Sequence, residues 1–290
     1  GNGFGGVGTV YGMSYVIRNM DSQQELRSCA EMQREVWSFE TPDIVSADML
    51  EKIRQGGGIL LGAFEDDGSL IGFVFSFPAI SSGCPIQHSH MLAVRPTFRD
   101  TGIGQALKLA QRQLARDLGQ ALITWTFDPL ESKNGYLNLN KLEVVVNRYY
   151  VNVYGQETTS ELHSGLGTDR FLAEWWVEES GNVPLEPHLT SAVAIISGTR
   201  TRFGWVAPKQ HSGVVAAPIL SVEVPYEIQA LKKADPGLAM EWRLITRLVL
   251  PEYLSRGYQV RRLENFEDDQ GTRSAYLLCK TGQKRGSVED

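Results

Sequence analysis

The glycines and basic residues that follow Val94 have the spacing of an anion-binding turn. An apolar stretch ending at Val94 runs through Arg95-Pro96-Thr97-Phe98-Arg99-Asp100-Thr101-Gly102-Ile103-Gly104 into an amphipathic helical pattern. The first backbone N–H groups of a helix have no intrahelical acceptor, and glycine leaves them unshielded. The helix dipole adds partial positive charge there. The pattern therefore predicts a site for a phosphate or pyrophosphate.

The same stretch is locally basic, although the whole chain of 290 residues carries a formal net charge of -6. Within residues 95–117 five basic residues oppose two acidic ones and leave a local charge of +3; they are Arg95, Arg99, Lys108, Arg112 and Arg116 against Asp100 and Asp117. An anionic ligand is compatible with that balance. The alternative is a glycine turn that feeds a solvated surface helix.

Two histidines precede the turn on the same predicted strand. His88 and His90 alternate with Leu92 and Val94, so all four side chains are expected on one side of the sheet. Histidine titrates near neutrality and suits removal of a proton from an ammonium group. Packed, hydrogen-bonded histidines are the alternative. A His-x-His pair can also bind a metal, but no third ligand is evident, and we expect no metal.

Composition excludes several classes of protein. Hydrophobic residues make up 42% and charged residues 21% of the chain, which favours a packed globular fold. The acidic balance argues against nucleic-acid binding, and no apolar run approaches the roughly 18 residues of a membrane span. Three widely spaced cysteines, Cys29, Cys84 and Cys279, predict neither a disulfide framework nor a metal pair. We expect a soluble cytoplasmic protein.

The order of predicted elements indicates a mixed α/β domain. Over residues 14–178 it is strand, two helices, three strands, helix, strand, helix and two strands. We predict a flexible extension over residues 1–13, whose GxGxxG spacing (Gly1–Gly8) lacks the preceding strand that dinucleotide binding needs. A further α/β region is predicted over 179–290. It is expected to shape an acceptor site or a homodimer contact.

Arg99-x-x-Gly102-x-Gly104, after an apolar strand, resembles motif A of the GNAT superfamily of N-acetyltransferases. The element order over residues 14–178 is also similar to that of the family. The resemblance implies a mixed, mostly antiparallel sheet flanked by helices, of the α+β type. It also implies acetyl-CoA or another acyl-CoA as co-substrate, no metal, and direct attack of an amine on the thioester.

The resemblance also implies roles for individual residues. The backbone N–H of Leu92 would polarise the thioester carbonyl, and the backbone of Val94 would bind pantetheine. The pyrophosphate would be wrapped by Arg99, Asp100, Thr101, Gly102, Ile103 and Gly104. The segments 37–45 and 151–169 would wall the acceptor site.

The predicted helix over residues 132–142 departs from the family pattern. Leu139 stands where relatives carry the tyrosine that protonates the leaving thiolate. Tyr136 and Tyr150 are the candidate substitutes, with Tyr149 and Tyr154 nearby, and water is a further alternative. Three asparagines in the same helix either contact the ligand or face solvent: Asn134 and Asn138, which we assign to cofactor binding, and Asn140.

The sequence thus predicts an acyl-CoA-dependent N-acyltransferase, most simply an acetyltransferase, that acts on a small amine or amino acid. A larger acyl group such as succinyl is an open alternative. A catalytically weak acyl-CoA-binding or regulatory module is the alternative function. Glu174-Trp175-Trp176 and Trp242-Arg243 resemble uncharacterised bacterial members of the family, which name no substrate.

Overall fold

A computed structural model describes residues 6–10, 13–37, 44–81, 83–154, 165–178, 187–211 and 213–280. Within these ranges the helices are α1 (Gln23–Trp37), α2 (Ala47–Gln55), α3 (Ile103–Asp117), α4 (Ser132–Tyr136), α5 (Ile228–Ala234) and α6 (Pro236–Ser255). The strands are β1 (Gly6–Val10), β2 (Met13–Asn19), β3 (Leu60–Glu65), β4 (Leu70–Ser81), β5 (Cys84–Val94), β6 (Leu122–Phe127), β7 (Val145–Tyr150), β8 (Arg170–Trp176), β9 (Val193–Arg200), β10 (Val206–Gln210), β11 (Ile219–Val224), β12 (Tyr258–Asp268) and β13 (Gly271–Lys280). Short 3₁₀ turns cover Pro96–Phe98 and Leu189–Ser191, and a π-helical turn covers Leu137–Lys141.

Local sequence signals fix several helix starts. Ser22 and Glu25 form a capping box: Glu25 N donates to Ser22 Oγ at 3.2 Å, and Ser22 N donates to Glu25 Oε2 at 3.0 Å. Ser46 Oγ accepts from Met49 N at 3.3 Å at the start of α2. Asp235 Oδ1 accepts from Leu238 N at 2.9 Å at the start of α6, beside a proline at the first helical position.

The described chain divides into two compact units. One contains Gly1–Trp125 and Trp176–Ser180, and the other contains Thr126–Trp175 and Gly181–Ser287. The division therefore falls within β6 and again within β8. The predicted boundary at residues 178 and 179 separates a family domain from an extension, and it stays a prediction.

The first unit orders its strands β1-β2-β3-β4-β5-β6. Neighbouring strands from β1 to β5 are antiparallel, and β6 is parallel to β5. On one face α1 and α2 bury a core that includes Leu26, Met32, Leu50, Phe73 and Phe75. On the other face Ile103 and Leu107 of α3 pack against the sheet at Gly72, which lacks a side chain to obstruct them.

The second unit orders its strands β8-β7-β12-β13-β11-β9-β10. These pairs are antiparallel except β11 with β9. Its longest helix, α6, buries Trp242 and Arg243 completely. Asn140, in the π-helical turn, donates to Leu263 O and accepts from Leu263 N, which joins that turn to β12.

The predicted element order over residues 14–178 is confirmed, as is the mixed, mostly antiparallel fold class with flanking helices. One expectation differs from the structure. Gly6–Val10 pairs with Met13–Ile17, so this part of the expected flexible extension is a strand. Residues 1–5 and 11–12 of the extension lie outside the described residues.

Candidate active site

The turn between β5 and α3 has the backbone that its glycine spacing predicts. Asp100 has φ 61°, and Gly102, the residue before α3, has φ 88°, a left-handed conformation that favours glycine. Thr101 Oγ1 donates to Phe98 O at 2.5 Å and closes the turn. The first amide that is bonded within the helix is Ala106 N, which donates to Gly102 O. The amides before it are available to a ligand.

Gly104 lies in the first turn of α3 and leaves open space beside it. A Cβ placed there would lie 3.7 Å from Val94 Cγ2 and 3.9 Å from Leu92 Cδ2, which are ordinary contacts. Leu92 and Val94 therefore direct their side chains to the α3 side of the sheet. Substitution at Gly104 is compatible with the fold, whereas any side chain at Gly102 is strained by its φ angle.

Backbone donors of β5 point away from β4 at the positions that the family resemblance singles out. Arg95 N donates to the carbonyl oxygen of Ile71, in β4, at 2.9 Å. Amide direction alternates along a strand, so the N–H groups of Leu92 and Val94 point to the opposite edge. That edge is the β6 side, where, among the described residues, β5 pairs with β6 at Gln87↔Ile123 and His88↔Thr124. Two adjacent strands that part in this way leave a wedge, which we call the β5–β6 wedge.

Most of the basic residues counted in this stretch are engaged by neighbouring groups. Arg95 pairs with Glu35 at 2.5 Å and donates to Leu70 O. Arg112 donates to the carbonyls of Trp176 and Val177, and Arg116 pairs with Glu178 at 3.2 Å. Lys108 is buried, which leaves Arg99 as the exposed basic residue of the turn. Counting charges along the sequence ignored these local pairs.

The expectation that both histidines share a side with Leu92 and Val94 is wrong. Phe75 pairs with Met91 and Ser76 pairs with Ser89, so His90 is an extra residue in β5. Such a bulge shifts the alternation of side chains by one position. The rings of His88 and His90 both contact Phe77, with centroids 5.2 and 5.8 Å away. They therefore lie on the face opposite to α3.

His88 is held in a packed, hydrogen-bonded environment. Its Nδ1 lies 3.0 Å from Thr124 Oγ1. Burial, with smaller contributions from His90 and Lys108, lowers the pKa of His88 to about 4. The imidazole is neutral at pH 7. This environment matches the structural alternative for His88 more closely than a catalytic one.

His90 is exposed, and its ring also contacts Phe75 at 5.6 Å between centroids. Partial burial against these rings lowers the pKa of His90 below its ordinary value. A neutral imidazole at the surface of the sheet can accept a proton near pH 7. His90 therefore has the accessibility that a general base requires.

The remaining predicted site residues belong to the second unit. Tyr136 and Tyr150 are 37% and 36% exposed, whereas Leu139 is in the core. Tyr149 donates its hydroxyl to Asp169 Oδ2 at 2.6 Å, and its pKa is raised far above the ordinary value by burial and by Asp169. Tyr149 is thus committed to a structural bond and is a poor proton donor.

The asparagines of this helix differ in exposure. Asn134 is exposed, and Asn138 is buried with its Nδ2 3.4 Å from Asn134 Oδ1. Asn140 makes the backbone bonds described above, so the ligand-contact alternative does not explain it. Of the predicted acceptor walls, residues 38–43 and 155–164 lie outside the described residues.

Sequence reasoning missed one group in the first unit. Lys108 was counted as a surface charge, yet its side chain is almost fully buried beside Ser89, Gln111 and Trp125. The available signal was its spacing of four residues from Gly104, which puts both on one face of α3. Within the described residues, no group of three or more His, Cys, Asp or Glu side chains could hold a metal ion. In the same part of the chain no helix has the length and apolar character needed to cross a membrane.

No family model and no curated protein matches the sequence. Solved structures that are similar to the chain include N-acetyltransferases. The ribosomal-protein-S18-alanine N-acetyltransferase from Escherichia coli is 13% identical to this chain. The match covers 59% of this chain and 98% of that enzyme, with a TM-score of 0.45. Aminoglycoside 6'-acetyltransferase type Ii is 19% identical to this chain. The match covers 57% of this chain and 98% of that enzyme, also with a TM-score of 0.45.

An N-acetyltransferase from Thermoplasma acidophilum, solved with coenzyme A, is 20% identical over 57% of this chain and 99% of its own, with a TM-score of 0.40. Others among these structures are named as GNAT family members. At such TM-scores the likeness alone decides nothing about activity. The chemistry has to be argued from the residues of this chain.

Proposed function

We propose that this protein transfers an acyl group from an acyl-CoA to an amine. The observation that carries the proposal is the turn from β5 into α3, where Gly102 and Gly104 leave unbonded helix amides open next to the β5–β6 wedge. The amides and the helix dipole suit a pyrophosphate, and Arg99 adds a charge-assisted contact. An elongated thiol-bearing arm would then run along the free edge of β5. There the N–H groups of Val94 and Leu92 would bind pantetheine and polarise the thioester carbonyl.

Pyrophosphate binding would depend mainly on backbone groups. Each helix-terminal interaction contributes about 0.3–1 kcal/mol at an exposed site. Several amides acting together therefore outweigh the single side chain of Arg99. We expect Asp100, Thr101 and Ile103 to contribute their backbone, since Thr101 Oγ1 already bonds within the turn.

A direct test uses Gly104→Val, because the fold has room for a side chain there. The added methyl groups would occupy the approach to the amides and should lower the affinity for CoA at least 10-fold, measured by calorimetry. Leu109→Val is the matched control, since Leu109 is an exposed residue of the same helix. Equal CoA affinity in both folded variants and the parent would refute the assignment of the turn.

We assign general-base catalysis to His90 rather than to His88. His90 is exposed on the sheet face opposite to α3, whereas His88 is bonded to Thr124 and is protonated only near pH 4. The base would take the proton that the amine loses as its nitrogen bonds to the thioester carbon. The carbon–sulfur bond then breaks, and the thiolate takes a proton from water.

The absence of a tyrosine at Leu139 need not prevent turnover. A thiol with a pKa near 8.5, as for cysteine, is a fair leaving group near neutral pH. A general acid typically adds about 10²–10⁴-fold. We therefore propose small amines or amino acids as acceptors, because an α-amine (pKa about 7.7–8.0) is easier to deprotonate than a lysine side chain (about 10.4).

Comparison of His90→Ala with the parent enzyme tests the base. The variant should lose most activity below about pH 7, where little free amine is present. A panel of α-amines and ε-amines, read by release of free thiol, tests the acceptor class. An unchanged pH profile in His90→Ala, or a preference for ε-amines, would overturn these two assignments.

The buried Leu139 favours one other function, an acyl-CoA-binding or regulatory module with little turnover. The same amine panel separates the two functions. CoA binding without thiol release above the uncatalysed rate would support the module. Thiol release that depends on both amine and enzyme would support the transferase.

A further inference from the structure

Lys108 is a buried cation in the first unit for which the proposed reaction gives no role. It is 2% exposed, and its Nζ lies 2.9 Å from Ser89 Oγ and 2.9 Å from Gln111 Oε1. The ammonium also lies 3.6 Å from the centroid of the Trp125 ring. Burial lowers the pKa of Lys108 well below its ordinary value. Keeping such a group inside a protein is costly, which calls for a reason.

This cluster lies where β5 and β6 part. The last recorded pair between these strands is His88↔Thr124, and Ser89 and Trp125 are the next residues of each strand. Lys108 Nζ contacts both of them. The ammonium thus lies at the closed end of the β5–β6 wedge, whose open end faces the turn that holds Gly102 and Gly104.

One face of α3 leads from the turn to this point. Gly104, Lys108 and Gln111 are spaced by four and three residues, so they line the same side of the helix. Along β5, Leu92 lies three residues from Ser89, or about 10 Å at full strand rise and less across the bulge. A thioester carbonyl at Leu92 N–H would place a short acyl chain within reach of the cluster.

Gln111 provides a second, independent observation. It is fully buried, and its Oε1 accepts from Lys108 Nζ and Ser89 Oγ, which fixes the orientation of the amide. Its Nε2 then has no hydrogen-bond partner among the described residues. A buried donor without an acceptor costs free energy, and each such group in a native structure needs an explanation. An oxygen from a ligand would satisfy it.

We propose that Lys108, Gln111 and Ser89 bind a terminal carboxylate on the acyl group of the donor. The donor class is an acyl-CoA whose short chain ends in a carboxylate, such as succinyl-CoA, rather than acetyl-CoA. The inference rests on the proposed acyl-CoA function. The bound carboxylate would accept from Lys108 Nζ and Gln111 Nε2, and a neutral acyl chain would leave Gln111 Nε2 without an acceptor.

The carboxylate takes no part in bond making. The amine nitrogen bonds to the thioester carbon, the carbon–sulfur bond breaks, and CoA leaves as the thiol after taking a proton. The far carboxylate keeps its charge and orients the chain. The product is an amide that carries a free carboxylate.

The test compares succinyl-CoA with butyryl-CoA, which has the same number of acyl carbons and no charge. In the parent enzyme we expect kcat/KM to favour succinyl-CoA by about 10–100-fold, the value of a hydrogen-bonded charged contact. Lys108→Met should bring that ratio close to one, and Gln111→Leu should lower it in the same direction. Arg116→Met, an exposed cation on the same helix, is the matched control and should keep the ratio of the parent.

Direct binding of both esters without an acceptor gives a second readout. The proposal is overturned if the parent binds and uses the two esters equally, or if Lys108→Met and Gln111→Leu both keep the preference of the parent. Use of both esters without preference would leave the acyl-CoA function intact. Binding of neither ester would refute that function and this inference together.

Discussion

Each unit of the protein buries basic side chains, and Lys108 in the first unit has different partners from Arg243 in the second. In the first unit Lys108 Nζ donates to the neutral oxygens of Ser89 and Gln111. In the second unit Arg243 donates to the carboxylate of Asp128 at 2.6 Å and to Leu166 O at 2.9 Å. Burial alone would lower the pKa of Arg243, but Asp128 reverses that effect and raises it. The lysine has its pKa lowered instead.

This difference in partners indicates that Arg243 belongs to a structural ion pair, whereas Lys108 is suited to bind a ligand. Arg243 also has one buried nitrogen, Nη1, without a partner among the described residues. Asp128 Oδ2 lies 2.6 Å from Arg243 Nη2, so this guanidinium already has a carboxylate partner within the protein. Lys108 Nζ lies beside two neutral oxygens, of Ser89 and Gln111, and beside the Trp125 ring. A ligand carboxylate at Lys108 would also accept from Gln111 Nε2, whereas Arg243 already has Asp128 as its carboxylate partner.

The largest effect is expected from breaking the ion pair. Arg243→Met removes the closer of two buried cations beside Asp128 and leaves Arg170 Nη1 3.8 Å from Asp128 Oδ2; removal of one partner of a buried pair typically costs about 3–5 kcal/mol. Urea denaturation followed by fluorescence should show that loss. Arg256→Met removes an exposed pair with Glu252 next to the same helix and should cost less than about 1 kcal/mol. Equal losses in the two variants would contradict the structural role of Arg243.

Lys108→Met is not expected to lower the free energy of unfolding as Arg243→Met does. Lys108→Met removes a buried ammonium but keeps an apolar chain of similar length, so the ligand-free protein should be equally stable or more stable by about 1 kcal/mol or more. The same denaturation measurement applies. A loss comparable to that of Arg243→Met would mean that Lys108 is also a structural group.

The pH dependence sharpens the comparison at Lys108. Its pKa is lower in the folded state than in the unfolded chain, so the unfolded state binds more protons between those two values. Stability therefore rises with pH in that window, by at most about 1.4 kcal/mol per pH unit, up to the unfolded value near 10.4. The difference in unfolding free energy between Lys108→Met and the parent should shrink as pH rises. A pH-independent difference would show that Lys108 is protonated in both states.

The smallest effect concerns His88, whose pKa is lowered to about 4. Since its unfolded value is near 6.5, the stability that it confers is present above pH 6.5 and is lost as pH falls toward 4. Thr124→Val removes its hydrogen-bond partner and should cost about 0.5–1.5 kcal/mol at pH 7. NMR titration of the imidazoles should show His88 neutral at pH 6. A His88 signal that titrates near 6.5 would contradict this packing.

Much of the first unit follows from local sequence signals. The capping box at Ser22 and the glycine turn before α3 each depend on a few neighbouring residues, so the sequence alone is enough to predict them. The bulge at His90 depends on how β5 pairs with β4, so a strict two-residue alternation wrongly placed the two histidines on the same side as Leu92 and Val94. The burial of Lys108 depends on contacts with Ser89 and Trp125. Charge counted along the chain carries no information about those contacts.

His90, the extra residue in β5, has a consequence for insertions and deletions in the gene. With His90 removed, Ser89 and Met91 become neighbours opposite Ser76 and Phe75, and the ladder becomes regular without turning over either half of the strand. A one-codon deletion within β2, whose ladder with β3 has no extra residue, would reverse every side chain beyond it. At position 90 the strand thus tolerates the loss of one residue without changing which side chains lie on each face of the sheet. A lineage could gain or lose this imidazole by a single codon while keeping both faces of the sheet.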